Sequence, residues 1–314
     1  MKLVVSRIRR NRGMALLLAL IAVMALSVIA AGLYEASQAS WEENTLSRAR
    51  YQAGILAESG LSIALHPEIE PGDVALRHEL APGRGWEVRI TSEGGRFPVN
   101  SMGEERLRTA AVEMFVLWGL DAATASRVAD SIADWIDSNS DPLPNGAENS
   151  FYAGVDYPQF PPNADITTLE ELAFVSGMEE VEKLQPFWRD HFTIRSDALI
   201  DFNAASRELI QALTGATADA AANFVAVRNG DDGIEGTVDD YTFDDSGEVQ
   251  SLLGISNGEW SEFSEFVTLE GTIRRIESIG KVGDFTETRV ILAEETTEGR
   301  NTILKPITRF RESK

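Results

Sequence analysis

The sequence predicts an α+β fold: an N-terminal transmembrane and amphipathic helix packed on a small antiparallel sheet, with a large all-α insertion in one loop of that sheet. Three observations predict it. Residues 14–33 are twenty consecutive uncharged, mostly apolar residues. Strand-period alternation marks residues 86–91 and returns from 271 onward. Between these stretches lie roughly 165 residues in which helical periodicity dominates.

The helix comes first. At 1.5 Å per residue, residues 14–33 span about 30 Å, the thickness of a bilayer's hydrocarbon core. Lys2, Arg7, Arg9, Arg10 and Arg12 precede the run and Glu35 follows it, so the basic flank stays in the cytoplasm and everything after Leu33 faces out. A cleaved secretory signal would carry a shorter apolar region, about 7 to 15 residues, followed by a small-x-small site. From 34 to 65 there is no proline, and Leu46, Ala53, Leu56, Ala57, Leu61 and Ala64 recur at helical spacing, with Pro67 as the expected stop.

Residues 86–91 alternate as a strand, and Gly94-Gly95 reads as a turn into 96–100. Pro98 marks an edge or a strand end there. Leu107, Ala110, Ala111, Met114, Phe115 and Trp118 then define a helical face, with Asp121 as N-cap of the next helix. Phe115, Trp118, Trp135 and Phe174 read as core. Three closing strands follow at 272–279, 288–293 and 302–310, with turns at 280–284 and 294–299. The resulting division is a leader 1–13, a transmembrane and assembly helix 14–65, sheet-body parts 66–102 and 269–314, and a helical insertion 103–268 with two acidic loops.

Composition excludes several functions. The 314 residues carry 28 Lys plus Arg against 50 Asp plus Glu, a net charge of −22 that repels a phosphate backbone, so no nucleic acid is expected as a partner. With no cysteine and three histidines, thiolate catalysis and Cys-ligated metals drop out. No GxSxG, P-loop, GxGxxG or HExxH is present, and fifty acidic residues guarantee chance carboxylate pairs, so no enzyme is predicted.

The acidic residues are clustered. Residues 130–180 hold eleven of them and no Lys or Arg. Asp137, Asn139, Asp141 and Glu148 reproduce ligand positions 1, 3, 5 and 12 of an EF-hand loop, but Pro142 stands where that loop needs glycine. Spacing alone leaves two readings open, a hard-oxygen cage on a different backbone and a solvated loop with Asp134 and Asp137 on an exposed helix end. The second cluster comprises Asp231, Asp232, Glu235, Asp239, Asp240 and Asp244, with Asp245 and Glu248 beside them. Glycines 230, 233 and 236 permit the tight turns of a cage, and a flexible hydrophilic loop is again the other reading.

Three resemblances bear on function. Arg12-Gly13-Met14, a basic leader ending in glycine directly before the apolar run, resembles a type IV prepilin signal. That resemblance implies cleavage after Gly13 by a prepilin peptidase, N-methylation of Met14 and retention of the apolar helix. Such signals usually have Glu five residues into the mature chain; Leu18 stands here, which suits a first, or tip, subunit. Residues 201–215 with 218–228 resemble a helix-hairpin-helix, although Thr214-Gly-Ala-Thr217 lacks the second glycine that lets amides approach a phosphate. A membrane-anchored periplasmic helix-hairpin-helix protein, binding nucleic acid or another ligand, is therefore the runner-up.

Over nearly its whole length the chain resembles the minor pseudopilin K (GspK) family of type II secretion systems. The resemblance rests on residues 13–33, Gly95-Arg-Phe-Pro-Val-Asn100, Ala133-Asp-Trp-Ile-Asp137 with 142–152, Asp201-Phe-Asn-Ala-Ala-Ser, and the closing strands. It implies a pseudopilin body with a helical insertion, calcium in that insertion, and a place with I and J class minor pseudopilins at the tip of a periplasmic pseudopilus. It further implies an inner-membrane, single-pass topology and secreted proteins as possible partners.

Overall fold

A single helix, α1 (Ile8–Ala64), runs 57 residues, about 85 Å at the α-helical rise. It comes from a computed structural model that describes residues 8–312 except 67, 156, 196, 197, 299 and 300. The expected stop at Pro67 and most of the basic leader therefore lie outside the described residues. From Met14 to Leu33 the large apolar side chains are exposed, Leu16 at 76 %. Among the described residues this is the one helix long and apolar enough to cross a membrane.

The C-terminal part of α1 lies on a five-stranded sheet. Its strands are β1 (Arg77–Ala81), β2 (Arg84–Ser92), β7 (Ile273–Val282), β8 (Phe285–Glu298) and β9 (Asn301–Glu312), in the order β1-β2-β7-β8-β9 with every neighbour antiparallel. Register pairs Ile90 with Ile276, Val88 with Ser278 and Trp86 with Gly280. These positions share one face, and Leu61 and Ala64 of α1 close a core over them with Ile291 and Ala293. The contact is backbone-close. A Cβ on Gly280 would stand 1.9 Å from the Ala53 carbonyl oxygen, and one on Gly60 would stand 2.4 Å from Ser278 Oγ.

The insertion leaves the sheet after β2 and returns at β7. It holds β3 (Phe97–Pro98), α2 (Glu105–Leu117), α3 (Ala122–Ile136), α4 (Asn149–Gly154) and α5 (Met178–Leu184). It continues through β4 (Phe192–Thr193), β5 (Ile200–Asp201), α6 (Arg207–Thr214), α7 (Ala218–Arg228), α8 (Ser246–Leu253), α9 (Asn257–Ser261) and β6 (Val267–Thr268). Its core is separate from that of the body and includes Phe115, Trp135, Trp188, Phe202, Phe224 and Phe263.

Several expectations change. The insertion is mainly, not wholly, helical: β3 pairs in parallel with β4 and β5 with β6, each over two residues. Residues 96–100 do not join the sheet; Phe97 and Val99 sit in the insertion's core, so packing changes hands near Gly95 rather than at 102. Residues 294–298 extend β8 instead of turning, because they pair with β9. Gly280 to Val282 likewise continue β7, and the turn is at Gly283, whose φ of +60° favours glycine. Phe174 is 50 % exposed and not core.

Candidate metal centre

α3 presents Ala125, Val128, Ala129, Ile132, Ala133 and Trp135 to the insertion core. Asp121 starts it as expected, accepting from the amides of Ala123 and Thr124 at 3.1 and 3.0 Å. Its other end is electrostatically unusual. A helix C-terminus carries partial negative charge and disfavours anions, yet Asp134 lies in the last turn and Asp137 is the C-cap.

The loop after α3 folds back and brings Glu148 to the same place. One carboxylate oxygen each from Asp134, Asp137 and Glu148 lie within 4.8 Å of one another. Asp134 is fully buried and Glu148 is 3 % exposed. Asp134 accepts from the Leu143 amide at 3.1 Å and Asp137 from the Asn139 amide at 3.0 Å. Glu148 Oε2 accepts from the Asn149 amide at 3.3 Å, while its buried Oε1 has no hydrogen-bond partner among the described residues. Gly146 permits the closure, since a Cβ there would stand 1.9 Å from Asp134 Oδ2.

Burial, reinforced by Asp137 and Asp130, pushes the Asp134 carboxyl above its ordinary range. Burial likewise raises Glu148, with Asp134, Asp137 and Asp141 adding to it. The neighbouring Tyr152 phenol, whose oxygen accepts from the Ser176 amide at 3.2 Å, is pushed up to about 12, chiefly by burial. A cation would relieve both carboxylates.

The residues fit calcium. The separations fall within the about 4.8 Å that two ligands on opposite sides of Ca²⁺, each about 2.4 Å away, can span, and Mg²⁺ parts with its waters reluctantly, which disfavours it in a cage of protein oxygens. All three donors are carboxylate oxygens, the hard ligands calcium prefers.

Of the four residues singled out by spacing, Asp137 and Glu148 converge. Asn139 and Asp141 are exposed and serve the loop, Asn139 Oδ1 accepting from the Asp141 amide at 2.7 Å. Asp134 takes their place, and the idea of it on an exposed helix end is corrected by its full burial. Its spacing of three residues from Asp137, one helical turn, was the available signal.

The second loop does not gather its carboxylates. Asp239 accepts from the Asp232 amide at 3.1 Å and Thr237 Oγ1 at 2.8 Å, and Asp240 from the Gly236 amide at 2.6 Å. Asp232 accepts from the Ile234 amide at 2.7 Å, while Asp231 and Asp244 are exposed. Glu235 turns toward the seam with the sheet, where burial raises its carboxyl against the pull of Arg228 and Arg89. Glu248 accepts from the Tyr241 hydroxyl at 3.0 Å, and Asp245 caps α8.

The segment that resembles a helix-hairpin-helix forms α6 and α7, joined through Gly215 at φ +73°. Arg228, at its end, is 4 % exposed and donates to the carbonyls of Phe202 and Ala205 at 3.1 and 2.7 Å. It holds the fold rather than facing a ligand. Gly13, Met14 and Leu18 lie on the exposed part of α1.

Residues 95–188 match the family model described as type II secretion system (T2SS), protein K. The type II secretion system protein K of Dickeya chrysanthemi is 36 % identical over 67 residues, 21 % of this chain and 18 % of that protein. The alignment thus spans less than a fifth of the curated relative. A chain in the crystal structure of the GspK-GspI-GspJ complex from enterotoxigenic Escherichia coli superposes with a TM-score of 0.60 at 14 % identity, covering 88 % of this chain and 99 % of that one. That likeness shows the fold. Residues 95–188 thus carry the protein K segment, set in a chain whose fold is like that of the chain in the GspK-GspI-GspJ complex.

Proposed function

We propose that this chain is a minor pseudopilin of a type II secretion system, joined with I and J class minor pseudopilins at the periplasmic pseudopilus tip and supporting export of folded proteins. The observation that carries it is the protein K segment at 95–188 set in a body whose fold is that of a chain in the GspK-GspI-GspJ complex. Its role is structural rather than catalytic.

The exposed apolar part of α1 anchors the chain once in the inner membrane, with the basic leader cytoplasmic and the body periplasmic. Prepilin peptidase cuts between Gly13 and Met14 and Met14 is N-methylated. Leu18 leaves the helix without a membrane carboxylate to pair with a neighbour's terminal amine, and the insertion obstructs a subunit above it; both favour the tip. Calcium binds at Asp134, Asp137 and Glu148.

Co-expression with I and J class pseudopilins tests the assembly. A complex of the three that survives purification supports it, and migration of this chain alone under conditions where I and J associate would refute it. Mass spectrometry should find N-methylmethionine 14 as the terminus; a terminus near Ala31 or Ala39 would show ordinary signal-peptide cleavage.

A further inference from the structure

Between the insertion and the far end of the sheet runs a groove of about 580 Å³. Its floor is apolar. Leu292 and Phe192 are buried there, Phe310 is half-buried, and Phe187 stands over the rim at 68 % exposure. Its walls carry Arg96, Arg189, Arg195, Arg275 and Arg311 against Glu93, Glu170 and Asp190, a local excess of cations in a chain of net charge −22.

The cations are unequally engaged. Glu93 takes Arg96 at 2.7 Å and Arg275 at 3.4 Å, and Arg311 pairs with Glu287. Arg189 stacks on the Trp188 ring at 4.3 Å, and neither it nor Arg195 forms an ion pair with a described residue. Arg195 is exposed and Arg189 partly so, and a carboxylate can meet them without displacing an ion-pair partner among the described residues.

We propose that this groove binds an extended acidic segment of a partner protein, its carboxylates on Arg189 and Arg195 and its apolar side chains on Phe310 and Phe187. An extended chain alternates its side chains between two directions, as an apolar floor below cationic walls requires. Charge sets the location. An acidic segment is repelled by most of this surface and attracted here, which steers encounter to the groove. Strand β9, which supplies Thr308 and Phe310, ends the sheet order, and no other described strand pairs with its outer edge. The inference does not depend on which secretion role the chain has.

Fluorescence anisotropy on the detergent-solubilised full chain, with a labelled alternating glutamate–leucine peptide as probe and its lysine–leucine counterpart as control, tests this. The acidic probe should bind at least about tenfold more tightly than the basic one, and more weakly as salt rises. Arg195→Glu should weaken binding several-fold and Arg189→Glu with Arg195→Glu by more; Arg195 is exposed, so the single variant serves if the double one misfolds. Arg84→Glu, the same charge change at the distant β1–β2 hairpin, should leave binding unchanged. Equal affinity for the two probes, or equal loss in Arg84→Glu and Arg195→Glu, would overturn the proposal. So would self-association abolished by Arg195→Glu in a chain that ignores the probe, which would give the groove to a second copy.

Discussion

Replacing Asp134 by Asn separates repulsion from metal binding. The three carboxylate oxygens lie within 4.8 Å of one another, and like charges at that distance repel by about 3.5 kcal/mol per pair at an effective dielectric constant near 20. Without a cation, Asp134→Asn removes one charge from two such pairs, while its amide oxygen can still accept from Leu143. The variant should then melt higher than the parent in chelator. Calcium then narrows that gap. Calcium at a hundred times Kd stabilises the parent by about 2.7 kcal/mol, roughly 5 to 10 °C in melting temperature for a folded region of this size. The variant has lost a ligand and should gain only a small part of that. Differential scanning calorimetry of the solubilised chain, with chelator and then excess calcium, reads both effects, and magnesium should stabilise less. The reasoning fails if calcium raises parent and variant equally, or if Asp134→Asn melts lower in chelator.

Other perturbations test neighbouring features. Gly146→Ala puts a Cβ 1.9 Å from Asp134 Oδ2; it should cost about 1 to 3 kcal/mol and blunt the calcium response, and an undisturbed calcium shift would show that Asp134 does not need the close approach. Arg228→Met leaves Asp201, at 3 % exposure, and Glu235 without the cation that faces them; denaturant titration should show a loss of about 3 to 5 kcal/mol, and a loss below 1 kcal/mol would mean water reaches both carboxylates. His191 packs against Trp118 with ring centroids 4.9 Å apart and planes tilted by 57°, and burial lowers its pKa from the ordinary 6.5. The unfolded chain therefore takes up a proton there before the folded one does, and stability falls as pH drops below 6.5 toward the folded pKa, by at most about 1.4 kcal/mol per pH unit. His191→Phe should flatten that slope between pH 7 and 5; parallel slopes would remove His191 as its source.

What was legible in the sequence depended on whether a signal was local. Residues 14–33 announce α1 because a bilayer-length apolar run has few other uses. The closing strands announce themselves because one face packs on α1, which imposes the alternation at Ile276, Ile291 and Ala293. Strand β1 was not read, since all five of its residues are exposed and an edge strand without a buried face has no period. Residues 294–298 were misread for the same reason, as they pair with β9 past the end of the core. In the carboxylate cluster, spacing found Asp137 and Glu148, yet Asn139 and Asp141 turn the loop. Asp134 was missed because its burial arises from α3 packing beside Tyr152 and from the return of Gly146, neither of which a one-dimensional pattern contains.

The seam between body and insertion is built from charge where two apolar cores could have fused. The clusters around Ile276 and around Phe202 remain distinct, and between them lie Glu93 with Arg96 and Arg275, then Asp201 with Arg228 nearby. Apolar contact is non-directional and tolerates sliding. A buried ion pair adds little net stability, but it penalises every arrangement that separates its members. Glycine tightens this further, because a Cβ on Gly271 would stand 2.1 Å from Ser92 Oγ and 2.5 Å from Asp201 Oδ2. The insertion also leaves and re-enters through strands that are neighbours, Ser92 lying opposite Arg274, so its two tethers share one hinge line. A hinge line alone would allow the insertion to swing. The paired charges on either side of it oppose that freedom, and they hold the Asp134–Asp137–Glu148 cluster and the arginine groove in a fixed relation to α1 and to whatever α1 joins.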